Sequence, residues 1–394
     1  MKRSAPPRIV IVGGGVIGSS IACYLGLAGA GADVTVIEPD PTYQLAATPR
    51  ATGTIRRTFT LPEKIQMSAY AQQVYSDFDT FTAIDGKDGV DVQFHRGGFL
   101  YMAWGNDEIA YLERAHAKIS EHYPSIELLS GSEISALYPS IDTSDVDIGL
   151  FARDDGWIDP ASALWGYRKK AQSLGVTYLS DRVVGFQYGK HRIHAVELEN
   201  GRPIAAEMVV NCANCWAADV AAMVGMKIPI EPLQRMTYYF ETRDEIEPLP
   251  LTRDINGISV RPEGTGYITG MTNFNQPHGF NWDLDYDWFD EAIWPQIAKR
   301  IPTFESLKMK SCWAGHYDMN TFDGTTIIGP WTGSIDNFYV TAGFSGHGLQ
   351  QAPAVGRAMS ELLLDGRYQT IDLTRLGYQR VLNETPLIDE GIRS

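Results

Sequence analysis

Three glycines and one glutamate near the start of the chain have residue types and a spacing suited to holding a nucleotide. Gly13, Gly15 and Gly18 follow one apolar run, and Glu38 ends a second. Gly13 permits a tight turn, Gly15 lets the backbone approach a pyrophosphate, and Gly18 lets a helix pack closely on the preceding strand. Helix N–H groups then face the phosphates, and Glu38 can accept hydrogen bonds from both hydroxyls of an adenosine ribose. The pattern predicts a strand, turn, helix and strand that bind a dinucleotide.

Two adjacent arginines lie on a polar loop, residues 39–58, that returns towards this glycine turn. The loop brings both arginines near the predicted nucleotide site, so one interpretation is that they contribute to that site. The alternative is that Arg56 and Arg57 form a solvated surface. The residues alone leave both interpretations open. Apolar residues at helical spacing then predict a helix over residues 62–81.

A second glycine-rich loop, residues 343–348, lies near the end of the chain. It joins a predicted strand at residues 338–342 to a predicted helix at residues 350–364. The amino terminus of that helix can stabilise a developing negative charge through its N–H groups and its dipole. His347 lies in the loop, where it either contacts a ligand or is satisfied by the backbone. This loop is the second place at which the sequence predicts contact with a bound molecule.

Length and charge limit the classes of protein to which the chain can belong. A chain of 394 residues suggests two domains that share a ligand. With 33 basic and 48 acidic residues the net charge is −15, which argues against a nucleic-acid partner. The uncharged stretch at residues 9–32 predicts neither a signal peptide nor a membrane span, because it contains the glycine turn and runs into a second strand. Four cysteines give no disulfide framework, so we expect a cytoplasmic location.

The order of predicted elements indicates an α/β protein in which two domains are interleaved. Buried strands of a Rossmann-like domain recur at the start, middle and end of the chain, and antiparallel strands with a hairpin turn lie between them. The Rossmann-like domain is predicted to comprise residues 1–90, 150–228 and 321–394. The antiparallel-sheet (α+β) domain, which would hold the substrate, is predicted to comprise residues 91–149 and 229–320.

The two glycine-rich stretches together carry a resemblance to a known family. The motif at residues 13–18 with Glu38, paired with Gly-Phe-Ser-Gly-His-Gly at residues 343–348, resembles the FAD-dependent amine and amino-acid oxidoreductases of the D-amino-acid oxidase superfamily. The most similar branch contains sarcosine oxidase, glycine oxidase and dimethylglycine dehydrogenase. Other stretches resemble a mitochondrial group of FAD-dependent oxidoreductase-domain proteins linked to complex I assembly, and these are residues 55–56, 60–63, 155–160, 313–323 and 343–353. The resemblance covers almost the whole chain and implies an FAD-binding Rossmann-like domain.

The resemblance implies which residues contact FAD. They are Gly13, Gly15, Val16, Ile17, Gly18, Glu38, Thr48, Arg50, Ala51, Thr52, Gly53, Val183, Cys212, Ala213, Trp216, Gly315, Gly343, Gly346, His347, Gly348, Leu349 and Gln350. The helix after the second loop would then face the N1/C2=O edge of the flavin, where negative charge develops.

The resemblance also implies which residues bind the substrate. Arg56 matches the arginine that fixes the substrate carboxylate in sarcosine oxidase. Arg261, on a predicted hairpin, is either a second substrate arginine or part of a structural ion pair. If both arginines face the cavity, a dicarboxylic N-substituted glycine becomes an attractive substrate. His347 and Tyr317 complete the candidate catalytic set, and His316 is a further residue that could line the site.

The sequence departs from the family at positions that concern flavin attachment and electron transfer. The cysteine that holds the flavin in sarcosine oxidase aligns nearer to Gly315 than to Cys312, so we expect non-covalent FAD. Lysines of sarcosine oxidase would fall near Ile268 and Gln350, and neither position is a lysine here. Oxidase and dehydrogenase activities therefore both remain open, with O2 or an electron carrier as the acceptor.

A Cys-x-x-Cys pair, Cys212 and Cys215, stands in the turn that faces the pyrophosphate in the family. Such a pair could be redox-active or half of a zinc site, but the sequence has no second pair. We therefore expect small buried side chains at both positions and no metal. The ribose-binding acid comes two residues later than is common, and residues 29–32 accommodate the insertion.

These features predict an FAD enzyme that oxidises a secondary or N-substituted amino acid to an imine, which then hydrolyses. Oxidation of a D-amino acid or a 2-hydroxy acid on the same fold is one alternative. A flavoprotein that acts mainly in assembly or in binding a partner is another. The expected partners are a small amino-acid substrate and O2 or an electron carrier, with no nucleic acid and no membrane span.

Overall fold

Two large β-sheets with helices packed on them form the architecture, in a computed structural model that describes residues 6–273, 275–331 and 333–392. The strands are β1 Ile9–Val12, β2 Val34–Ile37, β3 Thr54–Ile55, β4 Phe99–Ala103, β5 Ile126–Leu129, β6 Ile148–Ala152, β7 Gly156–Trp157, β8 Thr177–Leu179, β9 Val183–Tyr188, β10 Ile193–Leu198, β11 Ile204–Ala205, β12 Met208–Asn211, β13 Ile230–Glu241, β14 Leu251–Asp254, β15 Ile258–Glu263, β16 Gly266–Met271, β17 Lys308–Asn320, β18 Ile327–Pro330 and β19 Phe338–Ala342. The helices are α1 Val16–Leu27, α2 Pro62–Ser76, α3 Phe78–Thr82, α4 Asn106–Ser120, α5 Gly131–Leu137, α6 Pro160–Ser173, α7 Ala217–Ala222, α8 Tyr286–Trp288, α9 Trp294–Arg300, α10 Gly348–Asp365 and α11 Gln379–Leu382.

The first sheet has the strand order β18-β19-β12-β1-β2-β8 in the described part of the chain. β1 pairs in parallel with β12 and β2, and β19 pairs in parallel with β12. β1 is a continuous apolar run because both of its faces are buried, with Ile9 and Ile11 in one hydrophobic cluster and Val10 and Val12 in another. Since the central strands are parallel, the carboxyl ends of β1, β12 and β19 meet at one edge.

Helices α1 and α10 cross closely on one face of the first sheet. A Cβ atom at Gly356 would lie 2.2 Å from Ser20 Oγ, so only glycine fits at this crossing. Pro353 lies inside α10 and has no N–H to donate to the Leu349 carbonyl. Tyr75 Oη donates to that carbonyl instead, at 2.7 Å. A side chain from α2 thus replaces the missing backbone donor in the first turns of α10.

The second sheet has the strand order β17-β13-β16-β15-β14-β4-β6-β5 among the described residues. Its strands pair antiparallel except for β14 and β4, which are parallel. Side chains alternate between its faces. Tyr238 and Phe240 of β13 pack into the cluster that contains Phe289 and Ile297, whereas Arg235 and Thr237 line a cavity on the other face. One face of this sheet therefore packs into the hydrophobic core, and the other face lines the cavity.

The fold class predicted from the sequence is confirmed by these two sheets and by the comparisons reported below. The division into domains stays a prediction, and one strand crosses its proposed boundary between residues 149 and 150. β6 spans that boundary because Ile148 to Ala152 pair along their whole length with β4 of the second sheet. The two ends of the predicted Rossmann-like domain, residues 1–5 and 393–394, lie outside the described residues.

One predicted helix differs in detail from the observed structure. The helix predicted at residues 62–81 is two helices, because Asp77 leaves the helical conformation with φ −138°. Strand β4 begins only at Phe99, since Gly98 adopts φ +86°. A π-helical turn, Phe289–Ile293, comes immediately before the turn of α9 that contains Pro295. Proline cannot donate to the preceding turn, which explains the local change of helical hydrogen bonding.

Candidate functional site

A cavity of about 620 Å³ lies between the carboxyl edge of the first sheet and the open face of the second. The turns after β1, β12 and β19 form one wall, and β13 to β17 form the other. The predicted site residues that line it are Gly13, Gly15, Val16, Ile17, Glu38, Thr48, Arg50, Ala51, Thr52, Gly53, Arg56, Val183, Cys212, Ala213, Trp216, Arg261, Gly315, Tyr317, Gly346, His347, Gly348, Leu349 and Gln350. Residues from three separate parts of the chain thus meet in one place.

Two predicted cofactor residues do not line the cavity. Gly18 lies behind the glycine turn, where a Cβ atom would be 2.0 Å from Gly13 O. Gly343, with φ +78°, packs against Asn320 and Ile230. Both glycines are required by packing within the wall, and their assignment as contact residues stays a prediction.

The first glycine turn has the geometry of a phosphate site. Gly13 adopts φ +99°, and a Cβ atom there would lie 2.5 Å from Cys212 O. The only neighbour found within 4 Å of a Cβ built on Gly15 is Thr48 Oγ1, at 3.9 Å, among the described residues. Packing within the protein therefore explains the glycine at position 13 but not the one at position 15. The missing side chain of Gly15 leaves cavity space next to the amino terminus of α1, as a bound pyrophosphate requires.

Glu38 is held in place by two backbone donors at the end of β2. Its Oε2 accepts from Gly14 N at 2.9 Å, and its Oε1 accepts from Asp40 N at 3.0 Å. Burial raises the pKa of Glu38, and the same two N–H groups oppose that rise. Each carboxylate oxygen keeps a lone pair for a further donor. The arrangement suits the two adjacent hydroxyls of a ribose.

The second glycine-rich loop presents the amino terminus of α10 to the cavity. Ser345 and Gly346 both have positive φ, and a Cβ atom at Gly346 would lie 2.6 Å from the Tyr317 ring. Asp318, which is fully buried, accepts from Gly343 N at 2.7 Å, and burial raises its pKa to about 6. No acceptor is found among the described residues for the N–H groups at positions 348–350. Unpaired helix N–H groups at a cavity wall form a site for negative charge.

Arg56 and His347 are brought together at the end of the cavity formed by this loop. Arg56 Nη2 lies 3.0 Å from His347 Nε2, and Arg56 Nη1 donates to Thr58 Oγ1 at 2.6 Å. The guanidinium is buried, stacks over the Phe59 ring at 4.6 Å, and has a pKa that burial lowers to about 10. In the described part of the chain no carboxylate lies within 4.0 Å of it.

The contact between these two side chains determines the tautomer of His347. A guanidinium can only donate, so Nε2 must accept and the ring proton must be on Nδ1. Burial and then the charge of Arg56 hold the pKa of His347 well below its ordinary value, which keeps the ring neutral. His347 Nδ1 is buried and has no acceptor in good hydrogen-bond geometry among the described residues, although the Phe344 carbonyl lies near enough to oppose the lowering of the pKa.

The adjacent Arg57 has a structural role. Its Nε donates to Asp155 Oδ1 at 3.0 Å, and its Nη2 donates to Asp154 Oδ2 at 3.0 Å. Asp155 is completely buried, and burial raises its pKa to about 6 against the opposing charge of Arg57. This pair anchors the loop and directs Arg56 towards the cavity. The alternative of a solvated arginine surface is therefore wrong for both residues, which are buried.

Arg261 lines the cavity, but its guanidinium nitrogens donate to acceptors within the protein. Its Nε and Nη2 donate to Thr52 O at 2.9 and 2.6 Å, and its Nη1 pairs with Glu263 and Pro262 O. The geometry favours the ion-pair alternative. The residue fastens β15 to the polar loop of the first domain.

Sequence reasoning missed two other arginines of the cavity wall, Arg235 on β13 and Arg253 on β14. Both pKa values are lowered by burial. Their contacts among the described residues are with neutral groups: Arg253 Nη2 donates to Thr272 Oγ1 at 3.0 Å, and Arg235 stacks on the Tyr317 ring at 5.2 Å. Alternation along β13 and β14 could have placed both residues on one face, but not without the pairing of the strands.

Aromatic side chains and thiols complete the wall. His316 lines the cavity, packs against the Trp282 ring at a tilt of 60° with the ring centroids 4.2 Å apart, and accepts from Asn281 N at 3.1 Å. Cys212 Sγ lies 2.9 Å from Thr341 Oγ1, and Cys215 Sγ donates to the His316 carbonyl at 3.6 Å. Burial raises the pKa of both thiols, so neither has the character of a reactive thiolate.

The described residues contain no group of three or more His, Cys, Asp or Glu side chains placed to hold a metal ion. Within the same part of the chain, no helix has the length and apolar character needed to cross a membrane.

The chain is similar to known proteins over most of its length. A family model described as FAD dependent oxidoreductase (DAO) matches residues 8–362. FAD-dependent oxidoreductase domain-containing protein 1 of Bos taurus is 34% identical over 95% of this chain and 85% of its own. The mitochondrial sarcosine dehydrogenase of Mus musculus is 24% identical, over 91% of this chain and 40% of its own. The crystal structure of L-proline dehydrogenase from P. horikoshii has a TM-score of 0.87 at 24% identity and covers 97% of this chain and 99% of that one, so the two share a fold.

Proposed function

The chain belongs to the DAO family of FAD-dependent oxidoreductases, and we propose that it oxidises a secondary or N-substituted amino acid, such as a sarcosine-, N-alkylglycine- or iminodiacetate-like compound. The amine loses two electrons and two protons and becomes an imine, which water hydrolyses to an amine and an aldehyde or oxo acid. The electrons pass finally to O2, giving H2O2, or to an electron carrier. The observation that carries the proposal is Arg56, a buried arginine at the cavity wall with no carboxylate within 4.0 Å among the described residues.

The cavity fits FAD at residues that the first sheet positions. Gly15 leaves room for a pyrophosphate at the start of α1, Glu38 offers oxygens to a ribose, and α10 offers unpaired N–H groups. When bound, FAD accepts two electrons from a substrate C–H bond. We propose that it is held without a covalent bond. Cys312 packs against the apolar cluster on the far side of the second sheet, whereas Gly315 faces the cavity.

Arg56 is proposed to bind the substrate carboxylate. Its contacts with Thr58 and His347 leave Nε–H and one Nη2–H without an acceptor among the described residues. Two such donors on one edge of a guanidinium match the two oxygens of a carboxylate. A buried cation without a partner is costly, and an incoming carboxylate removes that cost. The same contact would fix the position of the substrate's α carbon.

The charge of the cavity wall selects the protonation state of the amine. Arg56, Arg235 and Arg253 are all cationic, and His347 is held neutral. Positive charge nearby disfavours a substrate ammonium and lowers its pKa. The unprotonated amine is the form that can be oxidised, so the wall would replace a dedicated base. His347 Nδ1–H is a donor for a bound acceptor atom.

An anaerobic amine panel tests the proposal. The FAD-loaded protein is mixed with N-methylglycine, other N-alkylglycines, D-amino acids and 2-hydroxy acids, and loss of the oxidised flavin absorbance is followed. We expect complete loss with at least one N-substituted glycine. Reduction only by D-amino acids or only by 2-hydroxy acids would select the corresponding alternative. No reduction by any compound, together with tight binding to a protein partner, would select the assembly role.

We propose a location in the reducing cytoplasm, because the four cysteines are all free thiols.

The electron acceptor is identified by adding O2 to the reduced protein. Rapid reoxidation with formation of H2O2 indicates an oxidase, and slow reoxidation indicates a dehydrogenase.

A further inference from the structure

The open face of the second sheet carries two arginines, Arg235 and Arg253, that form no ion pair within 4.0 Å among the described residues, although the more distant charge of Asp254 acts on Arg253. Arg235 is paired with Gly315 of β17, and Arg253 is paired with Ser259 of β15. β16 and β15 lie between the two arginine-bearing strands. Because side chains alternate along a strand, both arginines lie on the cavity face. Both cations therefore belong to one continuous part of the cavity wall.

The wall between these arginines is built from small residues. Gly270 of β16 and Ser259 of β15 line the cavity there, as does Gly257 at the start of β15. Gly257 has φ +82°, and a Cβ atom on it would lie 3.1 Å from the Thr272 side chain. No bulky side chain in this set fills the space in front of the guanidinium groups, so the wall has room for a ligand.

Arginines elsewhere in the described chain show what is missing here. Four of the five buried arginines have a carboxylate at 3.0 Å or less, in the pairs Arg57–Asp155, Arg261–Glu263, Arg300–Asp145 and Arg380–Asp323, and the fifth is Arg56. Arg235 and Arg253 have no carboxylate within 4.0 Å among the described residues; Arg253 donates to Thr272 Oγ1 and Arg235 to the Gln234 carbonyl. Neutral acceptors do not offset the cost of removing a guanidinium from water. The pair is thus arranged for an anion that comes from outside the chain.

The two cations are also close enough to act on each other and on Arg56. The charge of Arg235 contributes to lowering the pKa of Arg253, and the charge of Arg253 contributes to lowering the pKa of Arg56. Three arginines that repel one another persist at one end of the cavity. One carboxylate bound to Arg56 would neutralise only one of them.

We propose that Arg235 and Arg253 form a subsite for a second acidic group, so that the substrate is an N-substituted amino acid with a carboxylate on its N-substituent. This inference rests on the proposed function, in which Arg56 binds the first carboxylate. The subsite replaces the pairing of Arg56 with Arg261 that the sequence suggested for a dicarboxylic substrate, because Arg261 is already paired with Glu263.

Thioether analogues test the subsite without turnover. Thiodiacetate has two carboxylates, (methylthio)acetate has one, and the sulfur of each replaces the oxidisable amine. Each is titrated into the FAD-loaded protein, and its Kd is read from the perturbation of the flavin absorption spectrum. We expect thiodiacetate to bind at least tenfold more tightly, since it engages a second charge-assisted pair. Equal Kd values for the two ligands in the unmodified protein would overturn the proposal, whatever the behaviour of any variant.

Substitutions then show which residues cause the preference for thiodiacetate. Arg253→Met and Arg235→Met should each reduce the preference for thiodiacetate at least fivefold while the Kd of (methylthio)acetate changes less than twofold. Arg96→Met, at an exposed arginine outside the cavity, makes the same change in net charge and should leave the preference intact. If both cavity variants keep the full preference for thiodiacetate, or if they lose affinity equally for thiodiacetate and (methylthio)acetate, the assignment of the subsite to Arg235 and Arg253 is overturned.

The outcome separates this inference from the proposed function. If no amine reduces the flavin but thiodiacetate binding depends on Arg253, the subsite stands and the amine reaction fails. If N-methylglycine reduces the flavin as readily as iminodiacetate, and the two thioethers bind equally, the reaction stands and the subsite fails.

Discussion

Arg56 Nη2 lies 3.0 Å from His347 Nε2, so a buried cation is held by a neutral imidazole and not by a carboxylate. The arginine comes from the polar loop of the first domain, and the histidine caps the amino terminus of α10. The imidazole orients the guanidinium without neutralising it, and the charge therefore remains available to a ligand.

Replacing Arg56 should reduce oxidation of carboxylated amines. We expect Arg56→Lys to be as harmful as Arg56→Ala, since an ammonium cannot reproduce two parallel hydrogen bonds in a fixed fork. The loss of a buried charge-assisted pair costs about 2 to 5 kcal/mol, or on the order of thirty-fold to several thousand-fold in kcat/KM. Steady-state kinetics measure the loss, and FAD content measured on the same samples serves as the control. Normal turnover of the best carboxylated substrate by Arg56→Ala would remove this role.

His347 should make stability depend on pH in a window below its ordinary pKa of 6.5. The folded protein keeps the ring neutral, because burial and the charge of Arg56 lower its pKa, whereas the unfolded chain protonates it. Below pH 6.5 the unfolded state then binds more protons than the folded state, so the free energy of unfolding falls as the pH is lowered through that value. Relative to His347→Gln, the free energy of unfolding should fall by about 1.4 kcal/mol between pH 7.5 and 5.5. Urea unfolding at both pH values measures the difference, and a constant difference would contradict the neutral ring.

The dinucleotide motif could be predicted because every part of it is local in sequence. The apolar run of β1, the turn at Gly13 and the acid Glu38 lie within one strand-helix-strand unit. Arg235 and Arg253 are different, since their common location depends on which strands pair and in what order. No spacing in the sequence shows that β16 and β15 separate β13 from β14.

Burial of charge was equally beyond sequence reasoning. Arg56 and Arg57 are adjacent and identical in type, yet one faces the cavity and the other pairs with Asp155, which lies 98 positions further along the chain. The difference arises from tertiary contacts alone. The same holds for Arg261, whose pairing with Glu263 depends on the conformation of the hairpin.

The bound FAD should be released intact when the protein is denatured. Cys312 lies against the apolar core of the second sheet, and burial raises the pKa of its thiol, so it is neither placed nor activated to bond to a flavin in the cavity. Acid or heat precipitation should leave the yellow colour in the supernatant. A flavin-bearing peptide that contains Cys312 would show the opposite.

Glu38→Gln should weaken FAD binding while preserving the shape of the side chain. The charged oxygens accept from Gly14 N and Asp40 N, and in the proposed complex also from the ribose. Loss of the charge weakens these hydrogen bonds, at a cost of about 1 to 3 kcal/mol, or roughly fivefold to 150-fold in Kd. Titration of the apoprotein with FAD gives the Kd. Asp33→Asn, at an acid that precedes the amino end of β2 and lies outside the cavity, is the charge-matched control.

Tyr75 should stabilise α10 through the one carbonyl that Pro353 leaves without a donor. Tyr75→Phe removes the hydroxyl that donates to Leu349 O at 2.7 Å, and a buried acceptor left unpaired costs about 1 to 3 kcal/mol. Tyr188→Phe, at an exposed tyrosine on β9, should change the free energy of unfolding by less than about 0.5 kcal/mol.

A double-mutant cycle separates this hydrogen bond from the packing of the Tyr75 ring. Pro353→Ala restores an N–H at the position from which a helix donates to Leu349 O, so the loss caused by Tyr75→Phe should be much smaller when Pro353→Ala is also present. Denaturant unfolding of the four proteins gives the coupling free energy, which we expect to be about 1 kcal/mol or more. A coupling near zero would mean that the Leu349 carbonyl does not depend on the tyrosine, and the continuity of α10 through Pro353 would then rest on its packing against α1 and α2.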